Sequence, residues 1–243
     1  MSDVSRRKFL GAGATLGVGL AACNASGSPL PESRPTAAPT PPAAPPQAGS
    51  GPYQPQFFNP EEMAFLAAAA DRFIPADELS PSGSDLGVPQ YIDRQMAGPY
   101  GMAARWYMQG PFKKGLPGQG YQSKRTPAEL LRDGIRAVDR TVGANGNVKA
   151  FADLDGAHQD EILRALEGRK YDLPEVDGKL FFTFLHQLAV EGFLADPMYG
   201  GNRDMAGWTM IGFPGARANY HDWPEKTDQP YPYPPVSIMA GGA

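Results

Sequence analysis

The chain has 243 residues, a formal charge of −4 and 42% apolar side chains, enough for one or two packed domains. Its single cysteine, Cys23, excludes an internal disulfide, an all-cysteine iron–sulfur cluster and a Cys-x-x-Cys-His haem attachment. Mild acidity argues against nucleic acid or an anionic lipid surface as the main partner.

The first residues read as an address. Ser5-Arg6-Arg7-Lys8-Phe9-Leu10 resembles a twin-arginine export signal, and Arg6 and Arg7 are its defining pair. The weakly apolar run Phe9 to Ala22 is diluted by four glycines. It is shorter than the roughly 20 residues a membrane-spanning helix needs, so residues 1–22 read as a signal peptide. That segment carries a net +2, and its removal from a chain of −4 leaves −6. Leu20-Ala21-Ala22-Cys23 resembles a lipobox, which makes Cys23 the expected site of lipidation and membrane contact. The alternative is ordinary cleavage beside an incidental cysteine. Residues 23–55 are dominated by Pro, Ala, Ser, Gly and Gln. Such a stretch buries too little apolar surface to fold, so it is expected to be a disordered spacer.

Residues 56–243 carry the folded domain. Asn59-Pro60-Glu61-Glu62 combines an Asn cap, a proline at the first helical position and acids in the first turn. Met63, Leu66, Ala67, Ala70, Phe73 and Ile74 then recur at helical spacing until Pro75. Asp71, Arg72, Asp77 and Glu78 read as a solvated helix end. Val88-Pro89 opens a short helix that Gly98-Pro99 closes, and Arg105 to Met108 suggests one more helical turn. Thr126-Pro127-Ala128-Glu129 is a capping box. The helix after it carries Leu130, Leu131, Ile135, Val138 and Val142. Phe151 to Leu154 leads into another helix through Leu166. An apolar helix from Lys179 to Leu194 reads as buried, and Asp196-Pro197 ends it. Two-residue alternation is nowhere sustained. The expected fold is therefore mostly α: a compact helical domain with long irregular loops, a disordered N-terminal signal and linker, and an extended C-terminal tail.

The next stretch, Gly192-Phe-Leu-Ala-Asp-Pro-Met-Tyr-Gly-Gly-Asn-Arg-Asp-Met-Ala-Gly-Trp-Thr-Met-Ile-Gly-Phe-Pro-Gly215, reads as neither helix nor strand. Its glycines set aromatics and an arginine on a hinged loop, which suits a contact surface. Tyr199, Gly200, Gly201, Asn202, Arg203, Asp204, Trp208 and Phe213 are the candidate interface, with Trp223 from the tail. In that tail Tyr220, His221, Trp223, Tyr231 and Tyr233 are interleaved with prolines. It lies on its own domain or wraps a partner.

The string from Gly192 to Gly215 resembles the signature of the gluconate 2-dehydrogenase subunit 3 family, with similarity from about Phe57 to about Tyr233. The resemblance implies a small subunit of a membrane-bound flavin sugar or polyol dehydrogenase. It implies FAD on a large subunit of the glucose–methanol–choline type, and a multihaem cytochrome c as electron acceptor. This chain would hold no cofactor and would be non-catalytic. It would aid folding, periplasmic export through the twin-arginine translocase, and tethering of the flavin-bearing chain.

Two other readings stay open. One is a stand-alone periplasmic lipoprotein that binds a sugar or peptide with the aromatic loop. The other is a metal-dependent hydrolase using His186, Glu191 and Asp196. The spacing of those three does not favour it, since His186 and Glu191 are five apart on a helix. His186 reads as a hydrogen-bonded core histidine, and Glu191 and Asp196 as local structure at a helix end. No Gly-x-Gly-x-x-Gly follows a strand pattern, so a Rossmann flavin site is not expected.

Overall fold

The computed structural model describes residues 52–113, 115–145, 150–221 and 223–241. The expected signal, Cys23 and nearly all of the expected spacer lie outside them. The described chain is mostly α-helical, with six helices and no strand among these residues. They are α1 (Pro60–Phe73), α2 (Val88–Ala97), α3 (Pro127–Asn145), α4 (Gly156–Glu167), α5 (Gly178–Leu194) and α6 (Ala206–Ile211).

The helices start where their caps dictate. Asn59 Oδ1 accepts from the Glu62 N–H at 2.8 Å, and Glu62 returns the bond to the Asn59 N–H at 3.1 Å. Thr126 and Glu129 repeat that exchange at the head of α3. Asp155 and Asp177 cap α4 and α5. Glu62 is buried as well as capping, and Arg132 and Arg136 of α3 both reach it. One carboxylate thus starts α1 and ties it to α3.

Helix α5 packs against all the other five helices. Its Phe181 ring lies 6.2 Å from Phe65, which in turn meets Phe151 at 4.6 Å. Leu66, Leu86, Ile92, Met96, Leu130, Leu131, Ile135, Leu166 and Leu185 are the other large side chains that are fully buried. Gly134 lets α3 approach: a Cβ there would collide with the Phe181 ring.

The segment entering α1 is held by a buried carboxylate that the sequence did not single out. Asp93 of α2 is fully buried and accepts from Tyr53 Oη at 2.6 Å and from the N–H groups of Gln56, Phe57 and Phe58. Four donors offset the cost of burying its charge.

Two local expectations are corrected. Arg105 to Met108 is not helical. Trp106 is instead turned into a ring cluster with Tyr100 (5.7 Å), Tyr121 (5.1 Å) and Phe184 (6.3 Å), and tertiary packing overrides local propensity. The end of α1 is no free solvated terminus either. Arg72 makes a forked pair with Asp160 of α4 at 2.7 and 3.0 Å, and Asp71 accepts from the N–H and hydroxyl of Ser84. No helix among the described residues is long and apolar enough to cross a membrane.

Candidate partner-contact site

The last residues of any α-helix leave carbonyls without partners. At the end of α5 the glycine-rich loop supplies them. Trp208 Nε1 donates to the Leu194 carbonyl at 2.7 Å, and Asn202 Nδ2 donates to the Ala195 carbonyl at 2.9 Å. Asn202 Oδ1 accepts in turn from the Gly207 N–H at 2.8 Å. Gly201 and Gly207 lie so close to the Gly192 and Phe193 carbonyls that a Cβ at either would collide with them. The loop is folded down onto the helix terminus and seals it.

This geometry sorts the candidate interface residues. Asn202 is fully buried, at a left-handed φ of 47°, and Trp208 is 5% exposed. Both serve the chain's own fold. Trp208 meets Phe213 edge-on at 5.2 Å, so the two aromatics form a unit with its indole inside and its phenyl outside. Tyr199 and Phe213 are 46% and 43% exposed, and Arg203 and Asp204 are also exposed. Gly200 has φ 104° and closes the turn Pro197–Tyr199. Asp204 and Met205 add positive φ values of 57° and 56°, a strained backbone for side-chain-bearing residues. Helix α6 corrects the expectation of an irregular stretch, because its six residues are too few to show a period.

The outward face holds residues the sequence did not single out. Val190, Leu194, Met198, Met210 and Ile211 are all exposed, beside Tyr199 and Phe213. Val190, Leu194 and Tyr199 line an open groove of about 580 Å³ between α2 and α5, with Tyr91, Gln95, Glu191, Ala195 and Asp196. The available signal was the width of the apolar surface of α5. A helix apolar on more than one stripe has a face left over after packing one core.

Glu191 sits in the groove wall, accepting from Gln187 Nε2 at 2.8 Å and from the Tyr91 hydroxyl at 3.4 Å. Burial, then the Glu191 charge, raises the Tyr91 phenol well above its ordinary range. The same two causes push Tyr100 up to about 12. Tyr91 therefore stays protonated and acts as a donor. The groove thus combines the apolar Val190, Leu194 and Ala195 with a hydrogen-bonded carboxylate, Glu191, in its wall.

The three residues of the metal reading are engaged elsewhere. His186 is exposed, stacked on Phe182 and edge-on to Phe73, which corrects its assignment to the core. Asp196 is buried and accepts from the Met198 N–H at 3.0 Å, the Ser237 hydroxyl at 2.6 Å and the Ile238 N–H at 2.7 Å. Among the described residues no three His, Cys, Asp or Glu side chains are placed to hold one metal ion.

The tail lies on its own domain at both ends. Val236 pairs with Pro214 and Ala216 around a parallel bridge to Gly215, and Ser237 and Ile238 are held by Asp196. Between them Tyr231 gathers Tyr220, Trp223 and Tyr233 at 5.2–5.7 Å. Trp223 is half-buried in this cluster, with Lys226 over its ring at 4.4 Å.

No curated protein and no solved structure matches the chain significantly. The sequence profile of the family described as Gluconate 2-dehydrogenase subunit 3 matches residues 60–215, which run from the first residue of α1 to the glycine that closes the loop sealing α5. The match covers well over half of the 243 residues, and the chain belongs to the gluconate 2-dehydrogenase subunit 3 family.

Proposed function

We propose that this chain is the non-catalytic small subunit of a periplasmic, membrane-associated dehydrogenase complex that oxidises a sugar, sugar acid or polyol. In this reading FAD sits on a glucose–methanol–choline-type large subunit, and a multihaem cytochrome c takes the electrons. The small subunit stabilises the flavoprotein, lends it the signal carrying Arg6 and Arg7 for the twin-arginine translocase, and tethers it through lipidated Cys23. Family membership supports association with other subunits of a gluconate dehydrogenase-like complex.

The observation that carries the reading is the exposed apolar face at the end of α5. Val190, Leu194, Met198, Tyr199, Met210, Ile211 and Phe213 are between 37% and 55% exposed on adjoining elements of the family-matched domain. Exposed apolar side chains gathered on adjoining elements suit a protein–protein contact. Tyr199 and Phe213 add aromatic anchors of the kind that dominate such contacts.

The reading of a stand-alone binding module draws on the groove, whose volume of about 580 Å³ is within the range of small-ligand sites. Its open shape and the apolar side chains beyond its rim favour a protein surface instead.

Co-purification tests the choice. The partner reading expects the chain to carry a flavin-yellow subunit, and a colourless complex-free chain would refute it. Export is tested by changing Arg6 and Arg7 to Lys and fractionating the cells. Both this chain and its flavin partner should stay in the cytoplasm, and a partner still found in the periplasm would refute signal sharing.

A further inference from the structure

The carboxylate of Asp196 joins three parts of the chain. It follows directly on α5 and lines the groove, yet it is 7% exposed and hydrogen-bonded by three donors. One donor, Met198 N–H, belongs to the turn that carries Tyr199. The other two, Ser237 Oγ and Ile238 N–H, belong to the end of the tail. A buried carboxylate is costly without such donors, and each donor is costly without its carboxylate.

Between the two tail attachments, Gly215 and Val236, the described side chains pack on one another. Tyr220 Oη donates to the Gly215 carbonyl at 2.9 Å, and the Arg217 guanidinium lies over the rings of Tyr231 and Tyr233. Gly215 has φ 78°, and a Cβ there would run into the Val236 backbone. The loop lies beyond the family match, which stops at residue 215, whereas Asp196 lies within it.

What this closure presents is apolar. Ile238 and Met239 are 55% and 60% exposed. The Ile238 backbone is bound to the same carboxylate as the backbone of Met198, itself an exposed residue of the contact face. The exposed apolar side chains thus continue from the end of α5, across Asp196, onto the tail.

We infer that Asp196 is a positioning residue that latches the C-terminal strap, and that the latched strap adds Ile238 and Met239 to the face the catalytic subunit covers. The inference rests on the partner reading above. The occupant is the flavin-bearing subunit because the two faces are continuous through one side chain.

The latch is tested first, on the full mature chain without its partner. Asp196→Asn keeps the size but turns an amide N–H toward a backbone N–H or a hydroxyl. Hydrogen exchange of the peptide spanning residues 234–241 should quicken at least tenfold while the helices keep their protection. Unchanged exchange in a folded variant overturns the latch. Should Asp196→Asn fail to fold, Ser237→Ala leaves the carboxylate in place and removes the strap's hydroxyl, together with the bond it accepts from the Met239 N–H at 3.2 Å. It should still quicken exchange about threefold, and no change would again overturn the latch.

Capture of the flavin-bearing subunit tests the surface. The double variant Ile238→Asp, Met239→Asp should weaken capture at least tenfold, as should Leu194→Asp in the groove. If Leu194→Asp releases the partner and the strap variant does not, the strap is not in the interface, and the partner reading stands. If neither variant releases it, the inference falls together with the choice of this face.

Discussion

The sealing of α5 makes Trp208 a residue of folding before it is a residue of assembly. Its indole is 5% exposed, donates to the Leu194 carbonyl at 2.7 Å and meets Phe213 at 5.2 Å. Replacing a buried tryptophan by alanine costs about 3–5 kcal/mol in lost transfer energy and residual cavity. Trp208→Phe keeps most of the ring but strands the carbonyl, at about 1–3 kcal/mol. A domain of this size loses about 2–4 °C of Tm per kcal/mol. The alanine variant should therefore melt about 6–20 °C below the parent, with phenylalanine between them. Thermal unfolding followed by circular dichroism on the isolated chain measures both. Any loss of partner capture by Trp208→Ala should appear only alongside this loss of stability. A variant that melts with the parent and yet loses its partner would return the indole to the contact surface and refute the reasoning.

Gly134→Ala improves helix propensity by about 1 kcal/mol, but its Cβ collides with the Phe181 ring. Overpacking of that kind costs about 1–3 kcal/mol, so Tm should fall, and a rise would show that the α3–α5 contact is looser than described. Alkaline unfolding should begin as pH passes the ordinary tyrosine range. Tyr100 is pushed up to about 12 by burial and by Glu191, and burial also raises Tyr91 and Tyr121. For a group whose folded pKa is raised, the stabilisation is fully present below the unfolded value of about 10 and is lost as pH climbs through the folded one. A stability profile flat from pH 9 to about 12 would contradict this placement of the rings.

Much of the helical frame was legible because it is written in local chemistry. The Asn59–Glu62 and Thr126–Glu129 boxes, the Gly98-Pro99 stop and Asp196-Pro197 each act within a few residues, and the helices begin and end there. What stayed hidden depends on partners distant in sequence. Asp93 reads as an ordinary helical aspartate until the backbone of residues 56–58 arrives to be bound. His186 lies on an apolar helix yet faces outward between two phenylalanines. In the loop from Gly192 to Gly215 the sequence showed aromatics and an Arg among glycines, which fits both an interface and a cap. Only the carbonyls of α5 separate the two roles: Asn202 and Trp208 turn in to satisfy them, and Tyr199 and Phe213 turn out. Tail and domain could not be paired from sequence because the bridge of Gly215 to Val236 spans a loop with no repeating pattern.

The central claim is that the apolar face at the end of α5 is covered by another polypeptide. The direct measurement is size-exclusion chromatography of the affinity-purified mature chain, with flavin absorbance recorded across the peak. The comparison is a variant carrying Leu194→Asp and Tyr199→Asp, two exposed positions on that face. The parent should elute as a yellow complex, and the variant as a folded, colourless chain with unchanged helical content. A variant that holds its flavin partner as firmly as the parent, or a parent that elutes alone and colourless, would contradict the account.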